Sequence, residues 1–417
     1  MPSVFPLKTE ETILDLLAED DKSYSAMKTC SLVRQAFLPK CRKHIFGSIF
    51  LNDPYMESRP TIHTPHEFER LLRETPEIAN HIRKLDYTIE IADLTNPSIQ
   101  DSLRRITRLE SLRVRPGHLL PRLDWSNNSI RPALLHLLHL PTLTRFGVTH
   151  VNNFVVSDLI PCVNLKYLDI GFFTTGAAEN TFPAALPERS IQPNEFISEI
   201  GTPTAIMKLC TSRRPDGQPI IDFGSLTKIT VDVKEPNESE AALELFRRCH
   251  ILTNGHITCK SYLHRDHRDS LLLYSILVWD SQNVKPSLAD MLRPSMKTLK
   301  HIVLGIHIND DDEVPLSGIP SELEEMSTKN IIETVTIEIL VQTDVDCHLG
   351  DNWGRIDKVL TTSGWSSLKR FSVDIEIASY GRSDDELEVA LRNLPETQFP
   401  RLSSSNSVSF DFNVRSI

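Results

Sequence analysis

The residues with the most evident chemical capacity lie in the stretch CHILTNGHITCKSYLHRDH. It places Cys249, His250, His256, Cys259, His264 and His267 close together in the chain. Thiolates and imidazoles are zinc ligands, and structural zinc sites pair them at C-x2–4-C and H-x3–5-H spacing. Here the two cysteines are too far apart for such a pair, and only His256/Cys259 and His264/His267 are close. The chain path expected is the end of a helix, a turn at Asn254-Gly255 and a short strand. That path turns Cys249 and Cys259 into the core. It leaves His264 and His267, beside Arg265, Asp266 and Arg268, in water. The expectation is therefore no metal.

The acidic run NDDDEV, Asn309 to Val314, lacks the glycine and terminal glutamate of a calcium loop and reads as a solvated turn. No G-x-S-x-G or H-E-x-x-H organises the serines, histidines and carboxylates. No GxGxxG or GxxxxGK[ST] marks a nucleotide-binding turn of a doubly wound α/β domain. No catalytic residue and no cofactor are expected, and the chain does not read as an enzyme.

The elements that position these residues follow a recurrent apolar pattern. ITRLESLRV supplies Ile106, Leu109, Leu112 and Val114, and LPTLTRFGV supplies Leu140, Leu143, Phe146 and Val148. CVNLKYLDI, FGSLTKITV, MKTLKHIVL and WSSLKRFSV repeat the spacing, with Leu168, Ile229, Ile302 and Phe371 at the third anchor. Weaker copies lie at IRKLDYTIEI and IIETVTIEIL. A turn feeding a short strand accounts for the spacing: two anchors fill the core beside the turn, and two alternate into it from the strand. Helical stretches such as TPHEFERLLRETPEIANHI, SIRPALLHLLHL and SEAALELFRRC separate the copies. One strand plus one helix per unit, neither able to bury its face alone, is the plan of an irregular leucine-rich-repeat solenoid: a parallel curved sheet with outer helices. Residues 172–222 and 232–295 interrupt the rhythm and read as insertions.

Composition narrows the partners. Hydrophobic residues make up 40% of the 417, enough for a sizeable core. A net charge of −11 argues against a nucleic-acid partner for the chain as a whole. No apolar run approaches the ~20 residues that span a bilayer, and no basic segment precedes an apolar one at the start, so neither a membrane nor secretion is expected. Seven cysteines form no paired framework, which suits reduced thiols and a cytoplasmic or nuclear location.

The first fifty residues differ in kind. In KTEETILDLLAED, Thr9 stands at a capping position, Glu10 and Glu11 favour the first turn, and Ile13, Leu14, Leu16 and Leu17 form a helical stripe. A second helix runs through MKTCSLVRQAF and is expected to end at Leu38, because Pro39 disfavours helical backbone before it. A third runs from Lys40 to Phe46. Three short helices cannot bury this much apolar surface against one another. Arg34, Lys40, Arg42 and Lys43 lack the interleaved aromatics of a nucleic-acid surface and read as a solvated rim.

The order FP…E…IL..L, followed by MKTCSLVRQAFLPKCRKHIF, resembles the F-box domain in the form common in large fungal families. The resemblance covers roughly residues 4 to 51, with Phe5-Pro6 where Leu-Pro is usual and Phe37 where tryptophan is common. It implies an F-box at 1–52 followed by the irregular repeats at 53–417. It further implies a surface for a Skp-type adaptor, formed by Phe5, Pro6, Ile13, Leu14, Leu17, Leu32, Val33 and Phe37 as one partly exposed apolar patch. The function implied is substrate recognition in an SCF ubiquitin ligase: adaptor and cullin at one end, an unidentified target protein on the strand face and inserted loops. The chain itself would supply proximity rather than chemistry. A repeat scaffold not coupled to ubiquitination is the alternative.

Overall fold

The structure, a computed structural model, describes residues 7–20, 24–52, 64–120, 122–172, 174–176, 186–198, 203–233, 236–259, 286–309, 316–327, 330–342, 347, 350–378 and 385–416. It is an α/β fold whose two compact units are residues 1–191 with 212–220, and residues 192–211 with 221–417.

In the first unit three helices, α1 (Leu7–Asp20), α2 (Ser25–Val33) and α3 (Leu38–Phe46), precede the strands. The sheet is β1 (Ser48–Leu51), β2 (Lys84–Ile89), β3 (Ser111–Pro116), β5 (Arg145–Thr149) and β7 (Tyr167–Gly171), every neighbour parallel. Two short strands, β4 (Leu123–Asp124) and β6 (Val151–Asn152), pair separately. The register places Ile49, Leu85, Leu112, Phe146 and Leu168 in one row, all buried. Side chains alternate across a strand, so the residues between these anchors stand on the opposite, more open face. Helical segments such as Pro97–Arg104 and Arg131–Leu138 pack side by side, and their apolar faces are buried.

The second unit repeats the plan with β8 (Glu195–Ser198), β9 (Lys228–Asp232), β10 (Asn254–Cys259), β11 (His301–Asn309), β12 (Thr334–Gln342), β13 (Arg370–Ile377) and β14 (Ser409–Ser416), again all parallel. Phe196, Ile229, Gly255, Ile302, Val335, Phe371 and Phe410 share its anchor row.

A backbone signature runs through both units. At several steps the carbonyl just before one strand accepts two consecutive N–H groups at the start of the next: Gly47 O from Arg83 and Lys84, Arg83 O from Glu110 and Ser111, Glu110 O from Thr144 and Arg145. In the second unit Thr253 O accepts from Lys300 and His301, and Lys300 O from Glu333 and Thr334. A shared carbonyl satisfies the donors of the turn as well as the strand, and its recurrence gives the apolar spacing its fixed geometry.

The structure corrects several sequence expectations. Each interval expected to be an insertion contains a further strand, β8 in 172–222 and β10 in 232–295. Asn254-Gly255 opens β10 instead of forming a turn: Gly255 pairs with Ile229 on one side and Ile302 on the other, in the anchor row. β1 lies inside the region expected to be helical F-box alone, and it belongs to the sheet. The second helix ends at Val33, not Leu38: Arg34 takes extended backbone (φ −150, ψ 130), and Leu38 is helical with Pro39 in the first turn of α3. Proline's missing N–H has no intrahelical partner there, so α3 can begin around it. Thr9 lies within α1, which already begins at Leu7.

Candidate functional site

The three-helix bundle has a small core of its own. Leu14, Met27, Cys41 and Ile45 are buried, with Leu17, Ala18, Tyr24, Cys30, Phe37 and Phe46 packed against them. Burial, then the neighbouring Cys30 thiol, pushes the Cys41 thiol up from its ordinary pKa. A polar clamp closes one side of the bundle. Asp15 on α1 accepts from Lys40 Nζ at 2.9 Å and lies 2.7 Å from His44 Nε2, both on α3. The Lys40 hydrogen bond, reinforced by His44, holds the Asp15 carboxyl below its ordinary range against some desolvation.

What the bundle leaves outside is as informative. Ile13 and Leu16, one helical turn apart on α1, are exposed, and at the end of α2 Leu32 is 87% and Val33 72% exposed. Phe37 is half-buried, with the Arg34 guanidinium carbon 5.6 Å from its ring centroid. Of the residues expected to form one apolar patch, Ile13, Leu32 and Val33 are therefore outside, while Leu17 and Phe37 are partly covered. Leu14 is a correction: it lies in the bundle core, where the inward face of α1 places it. Phe5 and Pro6 lie outside the described residues. Leu16 was missing from the expected set, although its three-residue spacing from Ile13 carries the signal.

The bundle is joined closely to the sheet behind it. Only Gly47 separates α3 from β1, and its carbonyl anchors the first step of the backbone ladder. A Cβ on Gly47 would stand 2.5 Å from Lys43 O, so the sharp entry into the strand needs a glycine there. Arg42 on α3 also meets Glu77 at 2.9 Å, in the 3-10 turn that precedes β2. The exposed aliphatic residues thus sit on a bundle tied to the first strands of the sheet through Gly47 and the Arg42–Glu77 pair.

The cysteine–histidine segment divides. Cys249 is buried, its Sγ donates to Leu245 O at 3.2 Å, and burial pushes its pKa to about 12. His250 is exposed, and His256 stands on the open strand face with Nε2 3.5 Å from Glu338. The Cys259 side chain, His264 and His267 lie outside the described residues, as does most of the acidic run after Asn309. Among the described residues no group of three or more His, Cys, Asp or Glu is placed to hold a metal ion, and no helix is long and apolar enough to cross a membrane.

Compared with known protein families the chain matches none, and no curated protein matches it either.

Proposed function

We propose that this chain is the substrate-recognition subunit of an SCF-type ubiquitin ligase, with the N-terminal bundle docking a Skp-type adaptor and irregular leucine-rich repeats holding a target protein. The observation that carries the reading is the exposure of Leu32 and Val33 beside a bundle core complete without them. Large aliphatic side chains this exposed at a helix end remain in contact with water unless a partner covers them. The resemblance of residues 4 to 51 to the F-box supplies the kind of partner. Parallel one-strand repeats supply a row of open-face side chains for a second one. Cullin enters through the adaptor, and ubiquitin transfer is carried out by other subunits.

The test is affinity purification of the full chain from cells, with mass spectrometry of what co-purifies. The proposal expects a Skp-type adaptor and a cullin among the partners. Recovery of other partners without either would favour the uncoupled scaffold.

A further inference from the structure

The open face of the first unit's sheet carries two cation-bearing rows, and the carboxylates of the second lie lower than their cationic partners. In the first row the register aligns Lys84, Ser111, Arg145 and Tyr167. In the second it aligns Asp86, Arg113, Gly147 and Asp169. Arg113 reaches across Gly147 to Asp169, Nη2 to Oδ2 2.7 Å. Gly147 lies between the two on the middle strand, and a Cβ there would make only ordinary contact, 3.4 Å from Arg113 Cγ and 3.6 Å from Asp169 Oδ2. The pair is unequal in depth, with the Asp169 side chain 2% exposed and that of Arg113 46%. Arg115 repeats the arrangement at lower contrast, its Nε donating to Thr88 Oγ1 at 2.8 Å and lying 3.9 Å from the less exposed Asp86.

The first row lacks even these partners. Lys84 and Arg145 are exposed, and neither has a carboxylate partner among the described residues. Arg145 is nevertheless held in place, its guanidinium carbon 3.9 Å from the centroid of the Tyr167 ring. A guanidinium resting on an aromatic face keeps its donor fork pre-set for a carboxylate. Lys84 and Arg145 stand two strands apart, about 10 Å. In a chain of net charge −11, this face turns cations outward and keeps its anions beneath them.

We infer that the open face of β2, β3, β5 and β7 is a docking strip for an acidic, extended segment of a partner protein, whose carboxylates meet Lys84, Arg145 and Arg113. This rests on the reading that the strand face holds a target, and it is independent of the adaptor. Charge complementarity selects the occupant, and the shared rows of parallel strands favour an extended segment over a single small anion.

The experiment uses the full chain and fluorescence anisotropy with a labelled Glu/Asp-rich peptide, its Gln/Asn counterpart and a single-stranded RNA. The acidic peptide should bind at low salt and weaken as salt is added. Its affinity should fall at least about tenfold in K84E/R145E. An equal change of charge on the bundle, K28E/K43E, should leave affinity within about threefold, because it alters net charge but not the strip. Three results would overturn the inference: no binding of the acidic peptide, equal loss in both double variants, or tighter binding of RNA dependent on Lys84 and Arg145. Circular dichroism confirms that both double variants fold. Peptide binding without adaptor capture would sink the ligase reading alone, and adaptor capture without peptide binding would sink this one alone.

Discussion

The bundle and the sheet treat the same kind of residue differently. In the sheet, anchors such as Leu112, Phe146, Ile229 and Ile302 are all buried, each covered by neighbouring repeats and helices. In the bundle, Leu14 is buried, but Leu16, Leu32 and Val33 remain in water. Every strand anchor has a repeat on at least one side to pack against. The bundle is three helices deep and, among the described residues, leaves Leu32 and Val33 at the end of α2 largely exposed. Exposure there is consequently informative in a way that a single surface leucine beside the sheet is not.

The contrast can be broken by removing side chains from each region. The largest effects belong to the sheet: Leu168→Ala, Leu226→Ala and Leu368→Ala should each cost about 2–5 kcal/mol in urea unfolding, since each side chain is buried among packed repeats. Leu14→Ala should fall towards the lower end of that range, because a small bundle collapses more readily around a cavity. Gly47→Ala should cost about 1–3 kcal/mol, since its Cβ would meet a backbone oxygen that cannot move without disturbing α3 or β1. Leu32→Ala and Val33→Ala should change stability by less than about 0.5 kcal/mol. Losses from these two variants as large as that from Leu14→Ala would erase the difference between covered and uncovered residues.

The pH dependence of the clamp is a separate and small effect. Asp15 has a folded pKa below its unfolded value, so its contribution is present above the ordinary aspartate pKa near 3.9 and is lost as pH falls through the folded one. Nearly half of its side chain is exposed, and screening by water limits the effect to less than about 1 kcal/mol. Asp15→Asn should remove that acid-limb difference while leaving the neutral-pH fold intact, as read by thermal melts between pH 2 and 6. An unchanged acid limb in the variant would mean that Lys40 and His44 do not hold α1 to α3 through Asp15.

Much of the sheet was legible from residue spacing, because the repeat pattern is a direct imprint of the turn-and-strand geometry. The strands that escaped notice did so for particular reasons. In β10 the third anchor is Gly255, whose space Leu299 borders, so the apparent gap from Ile229 to Ile302 concealed a repeat. In β8 the buried Ser198 stands where the pattern requires an aliphatic residue. In β14 the turn before Phe410 is Ser404, Ser405 and Ser407 in place of apolar anchors, and the strand is held instead by rings, with Phe371 and Phe410 stacked 5.7 Å apart. The bundle's helical stripe was also legible, but not its division into inner and outer residues. A stripe wide enough to include Ile13, Leu14, Leu16 and Leu17 does not reveal which edge faces the core until α2 and α3 are packed against it. The charge layering of the first unit was not legible at all. Asp169 and Arg113 are far apart in sequence, and only the register across Gly147 brings them together.

We propose that Leu32 and Val33 stand exposed on the bundle as the surface that an adaptor covers. This is tested most directly by isothermal titration of the purified full chain with a Skp-type adaptor, for the native protein and for L32E/V33E. The expected result is a one-to-one complex for the native chain and at least about a hundredfold weaker binding for the variant, with the two proteins melting at the same temperature. Failure of the native chain to bind the adaptor, or equal binding by the variant, would contradict it.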